Sequence, residues 1–254
     1  MKGWSLKNKK ALITGSTKGI GLAIAEEFLS LGAEVFIISR SSENVKNLLS
    51  GWNEKGYVVY GLASDLSTKE GRDELFREVN TVWDSLDILV NNVGTNIRKK
   101  FLDYTEEEYR QLFETNLFST IDITKSLFPL LQKGNSPSII NITSYAGLFD
   151  VGTGVPYGMS KSAEIQMTRH LAVEWAQYGI RVNSIAPWFI RTPLTEGLLS
   201  NKEKYDSIIN KTPLGRVGNP EEIASLAAYL AMEKSSYITG QNILVDGGAS
   251  AKTF

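Results

Sequence analysis

The chain of 254 residues contains no cysteine and a single histidine, His170. Disulfides, thiolate nucleophiles and cysteine-ligated zinc are excluded together, and one imidazole cannot build a zinc site alone. No run of about 18 apolar residues is present that could cross a bilayer as a helix. The opening stretch MKGWSLKNKKALITG lacks the apolar core of a secretory signal, so the expected location is cytoplasmic. Neither sign of charge dominates: 27 basic against 28 acidic residues give a formal net charge of -1. Bulk attraction to nucleic acid or to anionic lipid therefore has no basis, and small molecules or copies of the chain are the expected partners. Gly-x-Ser-x-Gly is missing too, which argues against a serine hydrolase. The triplet Asn141-Ile142-Thr143 has the form of a glycosylation site but lies in an apolar, strand-like run.

What is present is an alternation of short β-branched runs with longer amphipathic ones, the order of βαβ units around a parallel sheet. The strand runs are 10–14, 34–39, 57–61, 86–91, 138–143, 180–186 and 242–246. Helix-like stretches fall near 20–30, 42–55, 68–83, 105–132, 157–178 and 220–232. No linker or charge run divides them, so we expect one α/β domain over 1–254, a doubly wound parallel sheet of seven strands with helices on both faces. Prolines and charges in 187–215 mark a mobile or substrate-covering segment. Ligands of such sheets bind beyond the carboxyl ends of the strands, so function is sought just after each strand run.

After the first run comes Gly15-Ser16-Thr17-Lys18-Gly19-Ile20-Gly21, then a helix pattern. Glycines there let a strand turn sharply into a helix whose N–H groups approach a pyrophosphate. The spacing, Gly-x3-Gly-x-Gly, differs from the common dinucleotide fingerprint. The second run ends in Ser39-Arg40, where an NAD-binding chain would place a carboxylate on the ribose 2′-hydroxyl. Arg40, with Lys18 nearby, suits a 2′-phosphate instead, which favours NADP(H); the alternative is two ordinary solvated charges. Glu43 reads as a first-turn residue of the next helix. Asp65, followed by Leu66, either accepts a bond from an adenine amino group or caps the helix that follows. Asn92-Val93-Gly94 offers a polar side chain and a glycine where a cofactor would pass.

Tyr157 and Lys161 are four apart, which on a helix places them on one face. A neighbouring ammonium favours the phenolate, so the pair can do acid–base work near neutral pH. Ser144, directly after the fifth run, can donate to a substrate carbonyl oxygen as charge develops on it. Asn116 interrupts an apolar helix stretch and could hold a water near Lys161. His170 and Trp175 read as surface and packing residues.

In order along the chain, TGSTKGIG, NNVG, Asn116, Ser144, YGMSK, APWFIRTP and VDGG resemble the short-chain dehydrogenase/reductase family over nearly the full length. Within it, WSLKNKKALITG, NNVGTNIRK and APWFIRTPL resemble tropinone reductase-like enzymes, which use NADPH. The resemblance implies a Rossmann-type fold, Tyr157 as general acid/base, Ser144 orienting the carbonyl, Lys161 on the nicotinamide ribose, and Asn116 in a water relay. It also implies cofactor contacts from Pro187, Ile190 and Thr192, and a homotetramer or homodimer. Val93 stands where the family usually has alanine. Enoyl-reducing relatives space their tyrosine and lysine further apart. A substrate pocket is expected from Asn96, Ile97, Tyr145, Val155, Trp188, Phe189, Leu194 and Leu198, whose character suits a largely apolar or cyclic ketone. The expected activity is NADPH-dependent reduction of a ketone to a secondary alcohol. The alternatives are a 3-oxoacyl-thioester reductase, a sugar/polyol dehydrogenase or a cofactor-binding regulator.

Overall fold

A strand covered on both faces reads as a continuous apolar run, and the central runs of this chain are of that kind. The computed structural model describes residues 3–252. Among them, seven strands form one sheet: β1 (Lys10–Thr14), β2 (Glu34–Ser39), β3 (Val59–Ala63), β4 (Ile88–Asn91), β5 (Ser138–Ile142), β6 (Arg181–Pro187) and β7 (Asn242–Val245). Their order is β3-β2-β1-β4-β5-β6-β7 and every pairing is parallel. The winding reverses between β1 and β4, which opens a crevice at their carboxyl ends.

The connecting helices are α1 (Gly19–Ser30), α2 (Ser42–Glu54), α3 (Lys69–Val82), α4 (Glu106–Phe113), α5 (Ser119–Gln132), α6 (Val155–Glu174), α7 (Pro193–Leu199), α8 (Lys202–Lys211) and α9 (Pro220–Ala231). Because successive strand residues point to opposite faces, the sheet feeds two cores. Ala11, Ile13, Val35 and Ile37 pack with Ile24 and Phe28 of α1 and Ile223 of α9. Leu12, Phe36 and Ile38 pack on the other side with Leu75 and Val79 of α3 and Leu127 of α5. The expected helices on both faces are present.

Besides shifts of a few residues at other element ends, three departures from the sequence pattern have a local cause. The third strand starts at Val59 because Tyr57 still donates its N–H to Trp52 at the end of α2. The long stretch 105–132 is broken by a π-turn at Glu114–Phe118, one extra residue that periodicity registers only as a small phase slip. The segment 187–215 contains two helices. Pro193 opens α7 behind a Thr192–Thr195 capping box, and Asn201 caps α8 by accepting from Lys204 N–H. Glu43 lies in the first turn of α2, as its offset predicts.

Candidate active site

The glycine turn builds the first wall. Gly15 and Gly19 have φ of +64° and +57°, a region that side chains disfavour. At Gly21 a Cβ would lie 2.4 Å from the Gly15 carbonyl oxygen and from Asn92 Nδ2, so only hydrogen fits. The hydroxyl of Ser16 bonds Ile13 O and Ile38 N, and that of Thr17 donates to Ser39 Oγ, which ties the turn to β1 and β2. Side chains cap α2, α3, α4 and α8, whereas Lys18, the residue before α1, supplies no cap. The first-turn N–H groups at Ile20 and its neighbours therefore face the crevice free of a capping side chain, the arrangement that receives a phosphate.

Around this turn the other strand ends converge. Arg40 is exposed at the end of β2. After β3, Asp65 Oδ1 accepts from the N–H and hydroxyl of Ser67, while Thr68 takes the capping position of α3. Leu66 is buried in the core. After β4, Asn92 donates from Nδ2 to Thr14 O and Gly15 O at 3.0 Å, and Val93 N–H bonds Thr14 Oγ1. After β6, which ends at Pro187, Ile190 is buried and Thr192 approaches Gly19: a Cβ on that glycine would sit 3.3 Å from Thr192. The segment after β6 thus closes over the start of α1.

Helix α6 carries the candidate acid–base pair. Pro156 pre-sets its first turn, and Tyr157 and Lys161 share one helical face. Tyr157 is half-buried; Lys161 is buried. Gly94 leaves open the face where both Lys161 and Asn116 meet the crevice. A Cβ there would lie 3.5 Å from Lys161 Nζ and 3.7 Å from Asn116 Oδ1. Asn116 sits in the π-turn, fully buried. Its Oδ1 accepts from Thr95 N–H at 2.8 Å, and its Nδ2 donates to Thr95 O and Ser160 Oγ. The amide pins the strand-4 loop to α6. Ser144 is half-buried after β5, its hydroxyl accepting from Ala146 N–H at 3.1 Å.

The sequence pattern did not single out Glu164. Its carboxylate accepts from Lys161 Nζ at 2.9 Å through both oxygens, and both side chains are buried. Burial pushes the Glu164 carboxyl up to about 7, against the opposing pull of the Lys161 ammonium. The sequence carried little signal for it: Pro156, Ser160, Lys161, Glu164, Ile165, Thr168 and Ala172 form one buried stripe of α6, but four of the seven are polar, so no apolar face marks it.

A cavity of about 1050 Å³ is lined by Tyr145, the residue after Ser144, with Trp188, Phe189 and Leu198. The aromatic rings form a cluster, with Trp188 4.4 Å from Tyr145 and 4.6 Å from Phe189 between centroids. Burial, with the nearby Asp246 carboxylate, raises the Tyr145 phenol. Cations crowd the rim: Arg98, Lys99 and Lys100 after β4, Lys204 and Lys211 on α8, and Lys252, against Asp150 and Glu203. Of the other expected lining residues, Val155 borders an adjoining cavity of about 590 Å³. Asn96 donates to Thr153, the Ile97 backbone carbonyl accepts from Tyr104, and Leu194 is exposed on α7. His170 is exposed and Trp175 packs on Phe128. Asn141 is fully buried and bonded to Asn91 and Thr168. Among the described residues no metal-binding cluster occurs and no helix is long and apolar enough to cross a membrane.

Residues 15–250 match the family model described as enoyl-(acyl carrier protein) reductase. A tropinone reductase homologue of Arabidopsis thaliana is 46% identical over 254 residues, covering 100% of this chain and 96% of that protein. Among solved structures, the Pseudomonas aeruginosa RhlG/NADP active-site complex is 34% identical with a TM-score of 0.91, covering 97% of this chain and 98% of that one. A gluconate 5-dehydrogenase from Burkholderia cenocepacia, in complex with NADP and tartrate, is 28% identical with a TM-score of 0.93, covering 98% of each chain. Full-length likeness in sequence and backbone joins what the crevice shows residue by residue: this chain belongs to the short-chain dehydrogenase/reductase family, beside its tropinone reductase homologues.

Proposed function

We propose that the chain is an NADPH-dependent carbonyl reductase that interconverts a ketone and a secondary alcohol. The observation that carries this reading is the placement of Tyr157 and the buried Lys161 on one face of α6, with the Lys161 ammonium beside Gly94 at the sheet's switch point. The crevice fits a dinucleotide: an uncapped helix start, a turn in which Gly21 tolerates no Cβ, and Thr192 closing over Gly19. Gly15 to Gly21 would hold the pyrophosphate. Ser39, Arg40 and Lys18 would hold a 2′-phosphate, and Asp65, Leu66, Asn92 to Gly94, Pro187, Ile190 and Thr192 the remainder. NADP in the solved relatives supports the same choice. When bound, the nicotinamide supplies the hydride.

The chain's own residues handle the oxygen. The Tyr157 hydroxyl gives its proton to the carbonyl oxygen as carbon is reduced, and takes it back in the reverse direction. Ser144 donates to the same oxygen, since the bond it accepts from Ala146 N–H leaves its own proton free. Lys161 stabilises the tyrosinate left behind. Asn116 fixes Thr95 and α6 around the reacting centre and supports a water relay toward Lys161.

Tyr145, Trp188, Phe189 and Leu198 suit an apolar or cyclic ketone. The cationic rim selects further: a protonated amino ketone, as tropinone is near neutral pH, meets like charge, whereas a neutral or acid-bearing ketone does not. That rim, and a relative named for gluconate, favour as a second reading a dehydrogenase of polyol acids with the same chemistry. Enoyl reduction, named in the family model's description, is less suited to a tyrosine and lysine only four residues apart. Oxidation of NADPH and of NADH should be followed spectrophotometrically across matched neutral, acidic and amino ketones, an enoyl thioester and the corresponding alcohols. NADPH with a ketone should give the highest kcat/KM. Preference for NADH, or turnover of the enoyl substrate alone, would overturn the reading.

A further inference from the structure

Lys161 lies inside the protein with its ammonium at bonding distance from three acceptor atoms: both oxygens of Glu164 at 2.9 Å and the Ile142 carbonyl at 3.1 Å. Their side chains are 4% and 2% exposed. A buried ammonium without a partner loses its hydration uncompensated and tends to shed its proton. A carboxylate at bonding distance compensates that loss and fixes the direction of the ammonium. It also changes the field, because opposite charges 2.9 Å apart act at a distance as a dipole and not as a lone cation.

Glu164 in turn is held by its own helix. Its backbone carbonyl accepts from Thr168 Oγ1, which accepts from Asn141 on β5, which accepts from Asn91 on β4. This chain of neutral groups runs under the site. The charged groups on the elements packed against α6 are engaged elsewhere. Arg181 of β6 bonds Ser235 and Met232, and Glu114 of the π-turn faces Arg72. On α4, Glu106 pairs with Arg110, Glu108 with Lys99, and Glu107 bonds its own first turn. Tyr145, after β5, stacks on Phe149 and Trp188. Among the described residues, Lys161 is the charge that acts on Glu164.

We propose that Glu164 is a positioning residue of this enzyme: its carboxylate orients Lys161 before cofactor and substrate arrive, and its protonation state sets the net charge presented to Tyr157. This rests on the roles of Tyr157 and Lys161 given under the proposed function. With Glu164 ionised the pair is neutral; with Glu164 protonated a net positive charge remains. Burial raises this carboxyl against the pull of the Lys161 ammonium, so Glu164 takes up its proton at a higher pH than a free glutamate does. A tyrosinate forms more readily beside the net cation, so kcat/KM for reduction falls as pH rises through about 7.

Glu164→Gln keeps an acceptor for the ammonium and removes the charge, Glu164→Leu removes both, and Glu164→Asp keeps the charge on a shorter arm. The measurements are NADPH affinity by fluorescence titration, kcat and KM against pH, and the carbon-13 NMR titration of the glutamate carboxyls. Glu164→Leu should weaken NADPH by roughly tenfold or more, the worth of one bond to a charged group. Glu164→Gln should bind NADPH nearly as the parent does and lose the fall of kcat/KM near neutral pH. Glu164→Asp should restore part of both. A glutamate signal titrating near neutrality should be present in the parent and missing from Glu164→Gln. If the Leu variant does not fold, the Gln variant and the NMR titration decide. A parental pH profile in Glu164→Gln with no carboxyl titrating near neutrality, or parental NADPH affinity in a folded Glu164→Leu, would overturn the inference. Should Tyr157→Phe abolish turnover in that same preparation, the proposed function survives that failure; should Tyr157→Phe stay active, the fault lies in the reading beneath.

Discussion

Arg40 is a single exposed guanidinium at the end of β2, and cofactor choice is argued from it. Exchanging it for a carboxylate replaces a fork that fits a phosphate with a charge that repels one. Arg40→Glu should raise the KM for NADPH by at least about tenfold while that for NADH falls or stays level. An unchanged NADPH-to-NADH ratio would show that the side chain stays in solvent. Residues of this kind were legible in the sequence because they sit in short local patterns: the glycine turn, Ser39-Arg40 after a strand, tyrosine and lysine one helical turn apart. Glu164 was not, since an acid three residues after a lysine is also the commonest pattern of a solvated helix face. What buries it is the phase of α6 against β5, which local spacing does not contain. Asn96 and Ile97 were read as pocket walls from their place after β4; Asn96 donates from its side chain to Thr153 in the loop before α6, and Ile97 accepts from Tyr104 through its backbone carbonyl.

Helix α1 begins without a side-chain cap, and its Gly21 is pressed against Gly15 and Asn92. Gly21→Ala would force Cβ to 2.4 Å from a backbone oxygen, so β1 and α1 must separate. NADPH binding should be lost and the melting temperature should fall; a variant binding NADPH normally would contradict the packing described. The π-turn makes a second case. Asn116→Ala strips partners from Thr95 N–H and O inside the protein, at about 1–3 kcal/mol for the stranded groups, measurable by denaturant unfolding. Helix α6 gives a third, through pH. Glu164 has its folded pKa raised to about 7 from 4.5, so the folded chain keeps a proton that the unfolded chain releases in that window. Stability attributable to Glu164 is therefore greatest at low pH and declines as pH rises from about 4.5 to about 7. Melting temperatures of Glu164→Gln should lack that decline. The strands and long helices could be read from periodicity, whereas the π-turn, α7 and α8 could not: one is a single inserted residue and the others are short, proline-led or charged helices set by their caps.

The molecule as a whole is nearly neutral, with a formal net charge of -1, yet one cavity mouth gathers six cations against two acids. Composition averages such an asymmetry away, because Arg98 to Lys100, Lys204, Lys211 and Lys252 come together only when the loop after β4, α8 and the segment after β7 meet. Paired reversal, Lys204→Glu with Lys211→Glu, should raise KM for an acid-bearing ketone several-fold and leave a neutral ketone unaffected. The difference should shrink with added salt, whose screening length is about 8 Å at physiological strength. Equal KM changes for both ketones would remove charge from the account of substrate choice. Everything else depends on α6 delivering a proton in the crevice. The most direct measurement compares Tyr157→Phe with the parent, kcat and NADPH affinity being taken from one preparation of each. Loss of about 10²–10⁴ in kcat with NADPH affinity unchanged is the expected result; a Phe variant that turns over ketone at the parental rate would contradict it.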